Sequence, residues 1–461
     1  MAEGTLDSEH HDDEDSTSAG PARSSEGGIP RRRAVLIGTT ASVLLLVCIP
    51  LFVWMIGVAE IGKEESWSNA RRRFDDARVM IERLDDVPAE DNAAGPLVEA
   101  LGERLLLNLP GKQEPPGQRD SAGVFVSRRA GPSGSSAQDD ATWVGTNKAA
   151  LELLREASQR KRLSFEAVLG SREWPLYVDT RVLREGLDCL LTSASGCLDR
   201  NRTSEALIDL VAAYRLARLV SQTLVIIQQA VAEGIEQRAW ELFGRLLERP
   251  APVAFWSEAR AVIVDLPPRP SLDATALSLR YFAVSAAGES ARTAGVSDVE
   301  PVENRTSAWF DEFDECCSLS GYGESMACME KLEGALRSRL KRGRWALWMP
   351  GSPDAEILAA AGANILIVPE YRTLLARHWR SRVREDLLKL SLDILSRDER
   401  LERAELKSLV ERVDDPFVEG PARMLENASW IVVYSVGLNE RDDGGEQGAD
   451  LSVRLSSRLF E

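Results

Sequence analysis

The chain has 461 residues and 44% hydrophobic content, enough for one large packed domain or two smaller ones. A formal net charge of −17 with a pI near 4.9 makes a surface that repels polyanions, which excludes a nucleic-acid-binding role. With three histidines and no paired CxxC, the usual zinc-site patterns are excluded as well.

Residues 1–33 read as a disordered acidic cytoplasmic tail, because Met1 to Pro30 is rich in Gly, Ser, Glu and Asp and poor in large apolar side chains. The run from Ala34 to Val58 carries no charge and follows Arg31, Arg32 and Arg33. Crossing a bilayer core about 30 Å thick takes about 20 apolar residues in a helix, so residues 34–58 are predicted to be a single transmembrane helix in a lipid bilayer. Lys63 and Arg71 to Arg73 compete with the arginine triplet, but the triplet touches the boundary. It puts the N-terminus in the cytoplasm and the main domain in the periplasm or another extracytoplasmic space.

Residues 59–109 read as a stalk and first helices. Trp67, Ala70, Phe74, Ala77, Ile81 and Leu84 recur at three- and four-residue spacing, and a second helix is predicted from Asn92 to Leu107. Residues 110–141, dense in Gly, Pro, Ser and Gln, read as a flexible linker or loop. Residues 142–410 form a predicted α-helical body. Its expected helices are Asn147 to Arg160, Thr180 to Asp199 with an interruption near Gly196, and one long segment from Thr203 to Glu248 ended by Pro250 and Pro252. Ala254 to Val264, Leu272 to Ala287, Ala308 to Phe313, Ser325 to Lys341, Asp354 to Val368, Glu370 to Leu395 and Arg400 to Val410 follow, with Gly288 to Ser307 as a loop. In residues 411–461 the character changes. Trp430 to Val436 is β-branched and aromatic, and Leu451, Val453 and Leu455 alternate with polar neighbours. These predict a β-hairpin closed by the Gly- and acid-rich loop from Gly437 to Asp450. The fold class is mainly α, with a small C-terminal β-hairpin element.

Cys48 lies in the predicted span; Cys189, Cys197, Cys316, Cys317 and Cys328 lie outside it. Outside the cytoplasm disulfides are permitted, and the local pairings are Cys189 with Cys197, and Cys328 with either Cys316 or Cys317. The odd number leaves a thiol over, and the alternative is that all five are small buried hydrophobes.

No catalytic residue is assigned. His378 is the only histidine outside the tail and reads as a surface or packing residue on a helix. The stretch Gly321-Tyr322-Gly323-Glu324-Ser325 is not a G-x-S-x-G elbow, and no phosphate-binding glycine loop is present. Asp311-Glu312-Phe313-Asp314-Glu315 clusters carboxylates, which on one helix read as a solvated face rather than a glycosidase pair. Trp240, Trp256, Trp309, Trp345, Trp348 and Trp379 read as core or interface residues.

The tail carries a resemblance. Asp415-Pro416-Phe417, Gly420-Pro421, Tyr434-Ser435-Val436-Gly437, Asp442-Asp443-Gly444-Gly445 and Asp450 follow one another over about 45 residues. This order resembles the C-terminal signature of major pseudopilins of type II secretion. It is also similar to the tail of uncharacterised single-pass bacterial envelope proteins with helical bodies, to which the segment Pro88 to Leu101 is similar too. The entry to the apolar run, Arg33-Ala34-Val35-Leu36-Ile37-Gly38, lacks a prepilin-peptidase site, and the body is too long for a processed pseudopilin subunit. The resemblance implies that Asp442, Asp443 and Asp450, helped by the Leu438 carbonyl, could bind calcium, a cation that seeks several hard oxygens. The other reading of Asp443-Gly444 is a plain turn with solvated charges.

The expected function is a membrane-anchored, non-enzymatic scaffold or protein-interaction module of the cell envelope, with protein partners and no nucleic acid. The alternatives are an accessory component of a secretion or pilus-like assembly, or an envelope hydrolase whose site has no recognisable motif.

Overall fold

The computed structural model describes residues 71–80, 87–102, 105, 125–126, 137–165, 178–293, 299–319, 321–346, 368–398, 401–418, 420–427, 430–446 and 450–456. The predicted span at 34–58 and the predicted helix from Asp354 lie outside them, apart from Val368. Among the described residues no helix is long and apolar enough to cross a membrane.

The chain is mainly helical, with one small antiparallel sheet. The helices are α1 (residues 71–80), α2 (Ala94–Leu101), α3 (Ala137–Thr146), α4 (Lys148–Ser158), α5 (Thr180–Asp199), α6 (Thr203–Ser221), α7 (Ile226–Leu247), α8 (Val253–Val264), α9 (Leu272–Thr293), α10 (Glu300–Ser318), α11 (Tyr322–Ala346), α12 (Val368–Leu395) and α13 (Arg403–Val410). Strands β1 (Arg423–Glu426), β2 (Trp430–Ser435) and β3 (Leu451–Ser456) follow. Neighbours in sequence pack as neighbours in space: α5 on α6, α6 on α7, α9 on α10 and α10 on α11. Helix α12 then crosses back over α7, α8 and α11 and carries the sheet.

Local chemistry sets the breaks. The Asp179 carboxylate accepts from the backbone N–H of Arg181 and Val182 and starts α5. Asn201, in the left-handed region at φ 57°, ends it. There Arg202 N–H reaches the Cys197 carbonyl and Asn201 N–H the Leu198 carbonyl, a Schellman closure. The expected interruption at Gly196 is absent, because helix bonding runs unbroken through it.

The single helix expected from Thr203 to Glu248 is two. Leu224, buried, takes φ 62°, and the chain turns between Ser221 and Ile226. Thr223 Oγ1 donates to the Val220 carbonyl, while the Leu224 carbonyl accepts from Ser278. The loop expected from Gly288 to Ser307 is largely helix as well, since α9 runs to Thr293 and α10 starts at Glu300.

The sheet has three strands rather than a two-stranded hairpin, in the order β1-β2-β3. Val433 stands opposite Met424 on one side and Val453 on the other. Burial along β2 is continuous, so both faces of the central strand are covered. Helix α12 packs against the sheet, and the turn at Gly444 and Gly445 folds over Val432 and Tyr434. At Gly445 (φ +74°) a Cβ would lie 2.9 Å from Val432 Cγ1, so glycine is required there.

Candidate functional site

Helix α12 organises the polar interior. Leu375, Trp379, Val383 and Leu387 recur every four residues and bury one stripe. The remaining positions are rich in charge: Arg377, Arg380, Arg382, Arg384, Glu385, Asp386 and Lys389.

A chain of alternating charges threads the core beside it. Arg218 on α6 is 1% exposed. Its Nε lies 2.8 Å from Glu236 Oε1 on α7, an ion pair without hydrogen-bond alignment, and its Nη2 hydrogen-bonds to Glu385 on α12. Arg269 Nη2 donates to the second Glu236 oxygen at 2.6 Å, and Lys389 Nζ to Glu385 at 2.7 Å. The Tyr214 ring lies 5.3 Å from the Arg218 guanidinium. Burial opposes the Arg218 charge, yet Glu236, Tyr214 and Glu385 outweigh it and raise its pKa. Burial likewise opposes the Glu385 charge, but Arg218 and Lys389 bring that carboxyl down to about 2. The charges are therefore fixed, and they tie α6, α7 and α12 together.

Next to this chain lies a cavity of about 40 Å³, lined by Gln229, Glu233, Glu236, Arg269, Arg377 and His378 among others. Burial lifts Glu233 to about 7 against the pull of Arg377. Burial, with Arg269, Arg382 and Arg218, lowers His378 to about 3 and keeps it neutral. An acid titrating near neutrality in a cavity is a recognised mark of catalysis. Organic ligands occupy roughly 300–1,000 Å³, and this space suits a water molecule.

The larger space is a groove of about 630 Å³ between α8, α12 and the segment after α13. Trp379, Val383, Leu390 and Leu409 are buried along it, and Val264 is 61% exposed at its edge. Arg260, Arg382, Lys389 and Arg412 supply positive charge, and Asp386, Asp393 and Asp414 negative. The Arg382 guanidinium lies 5.2 Å from the Trp379 ring centroid. Trp379 is 4% exposed, and its indole N–H has no acceptor among the described residues.

The residues singled out from sequence fall elsewhere. Asp442 accepts from Arg423, from Tyr434 Oη at 3.1 Å and from Gly444 N–H; Asp443 accepts from Asn439; Asp450 accepts from Gly445 N–H at 2.7 Å. The three carboxylates take separate protein donors. Among the described residues no group of three or more His, Cys, Asp or Glu is placed to hold a metal ion.

Cys316 and Cys328 form a disulfide joining α10 to α11. Cys189, Cys197 and Cys317 are buried and form no disulfide, so the Cys189–Cys197 pairing is not made. Both belong to α5, and eight residues of helix separate their Cα atoms by about 12 Å, beyond disulfide reach. Asp311 and Asp314 are not a solvated face: both accept from Arg280, which is fully buried, at 2.7 and 2.5 Å. Arg73 on α1 adds a 3.0 Å bond to Asp314. Trp256 and Trp379 are core residues and Trp240 is half-buried, while the side chains of Trp309, Trp345 and Trp348 lie outside the described set.

The groove and the charge chain have no sequence motif. Their residues come from segments up to about 170 positions apart, and the one available signal was the arginine density of α12. Set beside known proteins, the chain matches no family model, no curated protein and no solved structure.

Proposed function

We propose that this protein is a membrane-anchored interaction module of the cell envelope that acts without catalysis. Residues 34–58 tether it, and the helical body binds its partner outside the cytoplasm. The groove beside α12 carries the reading, because it combines an apolar floor with rim charges of both signs, the composition of a recognition surface. The Cys316–Cys328 disulfide supports the compartment, since such bonds persist in oxidising spaces.

A photo-cross-linking amino acid at position 264, on the groove edge, tests the reading in intact membranes. Ile208, 56% exposed on α6, is the control position. The expected result is a discrete adduct from position 264 and none from position 208. No adduct at 264, or equal labelling from both positions, would overturn it. A reporter fused after Glu461 should be active outside the cytoplasm only.

A further inference from the structure

The cavity beside the charge chain holds an unfinished set of contacts. Gln229 on α7 is 8% exposed, and its Nε2 donates to Thr275 Oγ1 at 3.3 Å. Its Oε1 has no donor among the described residues. Glu233 stands four positions further along α7, where side chains on one helix face meet, and it lines the same cavity. Across the cavity, Glu233 Oε2 lies 3.5 Å from Arg377 Nε on α12, an ion pair outside ordinary hydrogen-bond length. The two protonation states of Glu233 complete different contacts. The protonated form carries the O–H that Gln229 Oε1 lacks, and the ionised form carries the charge that Arg377 attracts.

We propose that Glu233 is a proton-operated latch between α7 and α12. Protonated, it donates to Gln229 Oε1 and stays within α7; ionised, it closes on Arg377 and ties the two helices. The charges around it leave it this choice. On α12, Arg380 and Arg384 act on it alongside Arg377, and His378 is neutral. Arg269, before α9, and Arg218, on α6, are committed to Glu236, the other acid of the cavity. Helix α9 brings the uncharged Thr275. Helix α5 directs Asp188 and Asp199 to Arg238 and Arg245, further along α7, and the one charged residue of β3, Arg454, is exposed. Burial, against the pull of Arg377, places the titration of Glu233 at about 7, so both states are populated near neutrality. Arg377 stands two residues before Trp379, so the latch sets how firmly α7 holds the helix that walls the groove.

The test is infrared titration of the full chain in detergent from about pH 5 to about pH 9, following the carbonyl band of protonated carboxyl groups. Glu233→Gln identifies the band by deleting it. Gln229→Ala removes the acceptor of the protonated form, so the midpoint should fall. Arg377→Gln removes the partner of the ionised form, so the midpoint should rise. Each shift should be about one pH unit, a tenfold change in the protonation equilibrium. If Gln229→Ala does not fold, Gln229→Asn, which withdraws the same oxygen from Glu233, takes its place. No Glu233 band in this interval overturns the latch. So does a midpoint that either substitution leaves unmoved, the result expected if a water rather than Glu233 satisfies Gln229.

Discussion

The carboxylate of Asp415 and the hydroxyl of Ser435 meet 2.8 Å apart in the interior, although twenty residues separate them in sequence. The same carboxylate accepts from Phe417 N–H at 3.1 Å and Val436 N–H at 2.9 Å, and Asp415 is 2% exposed. The Asp-Pro-Phe turn is thus latched to the end of the central strand.

Asp415→Ala should remove the acceptor from three buried donors and destabilise the chain by about 2–4 kcal/mol. Asp415→Asn, which keeps one carbonyl oxygen, should cost less. Urea unfolding midpoints of the two variants check the order.

Arg218→Met should leave Glu236 and Glu385 buried and facing each other across an apolar side chain. Breaking a buried pair by removing one partner costs about 3–5 kcal/mol. Adding Glu236→Gln and Glu385→Gln should recover part of that loss. Thermal unfolding of the single and triple variants measures both.

Replacing Cys316 and Cys328 by alanine should cost about 3 kcal/mol, the loop-closure value for a crosslink spanning 12 residues. Reduction of the unmutated chain should produce the same drop. Burial pushes the Cys317 thiol up, so it is not a ready thiolate, and iodoacetamide should leave it unlabelled in the folded chain.

Stability should have a plateau in acid. Folding raises Glu233 from 4.5 to about 7, so its folded form binds the proton more tightly, and stability falls as pH rises across that interval. Folding lowers His378 from 6.5 to about 3, so stability falls as pH drops across that one. The two slopes oppose each other between 4.5 and 6.5. Above 6.5 only the Glu233 slope remains. Glu233→Gln should therefore gain about 2–3 kcal/mol at pH 8 and nothing at pH 4, read from urea titrations at both values.

Periodic burial was legible in the sequence. The stripe of Leu207, Leu210 and Val211 lies in the core as its spacing requires; in the next stripe, Ile227, Val231, Ile235, Ala239, Leu242 and Leu246, the residues Ile235, Ala239 and Leu246 are buried, Val231 and Leu242 are half-buried and Ile227 is 63% exposed. The turn between α6 and α7 was not, because Leu224 adopts a left-handed conformation that its residue type does not announce. Strand β1 was missed because its four residues, Arg423 to Glu426, show no buried alternation and form a strand only by pairing with β2. Asp311 and Asp314 were misread for a related reason. Their partner, Arg280, lies on another helix, and spacing within one helix carries no information about what faces it. The groove is the extreme case, since Arg260, Trp379 and Arg412 share a wall only after α12 has crossed α8.

Helix α12 touches α7, α8, α11 and two strands of the sheet, and it supplies Glu385 to the charge chain. A rod gripped at so many heights cannot fray from one end while the remainder holds. Its loosening would release the aromatic floor, the buried ion pairs and the terminal sheet in one event. Amide exchange across these elements should therefore proceed at a common rate, as in a single cooperative block rather than a stack of independent hairpins.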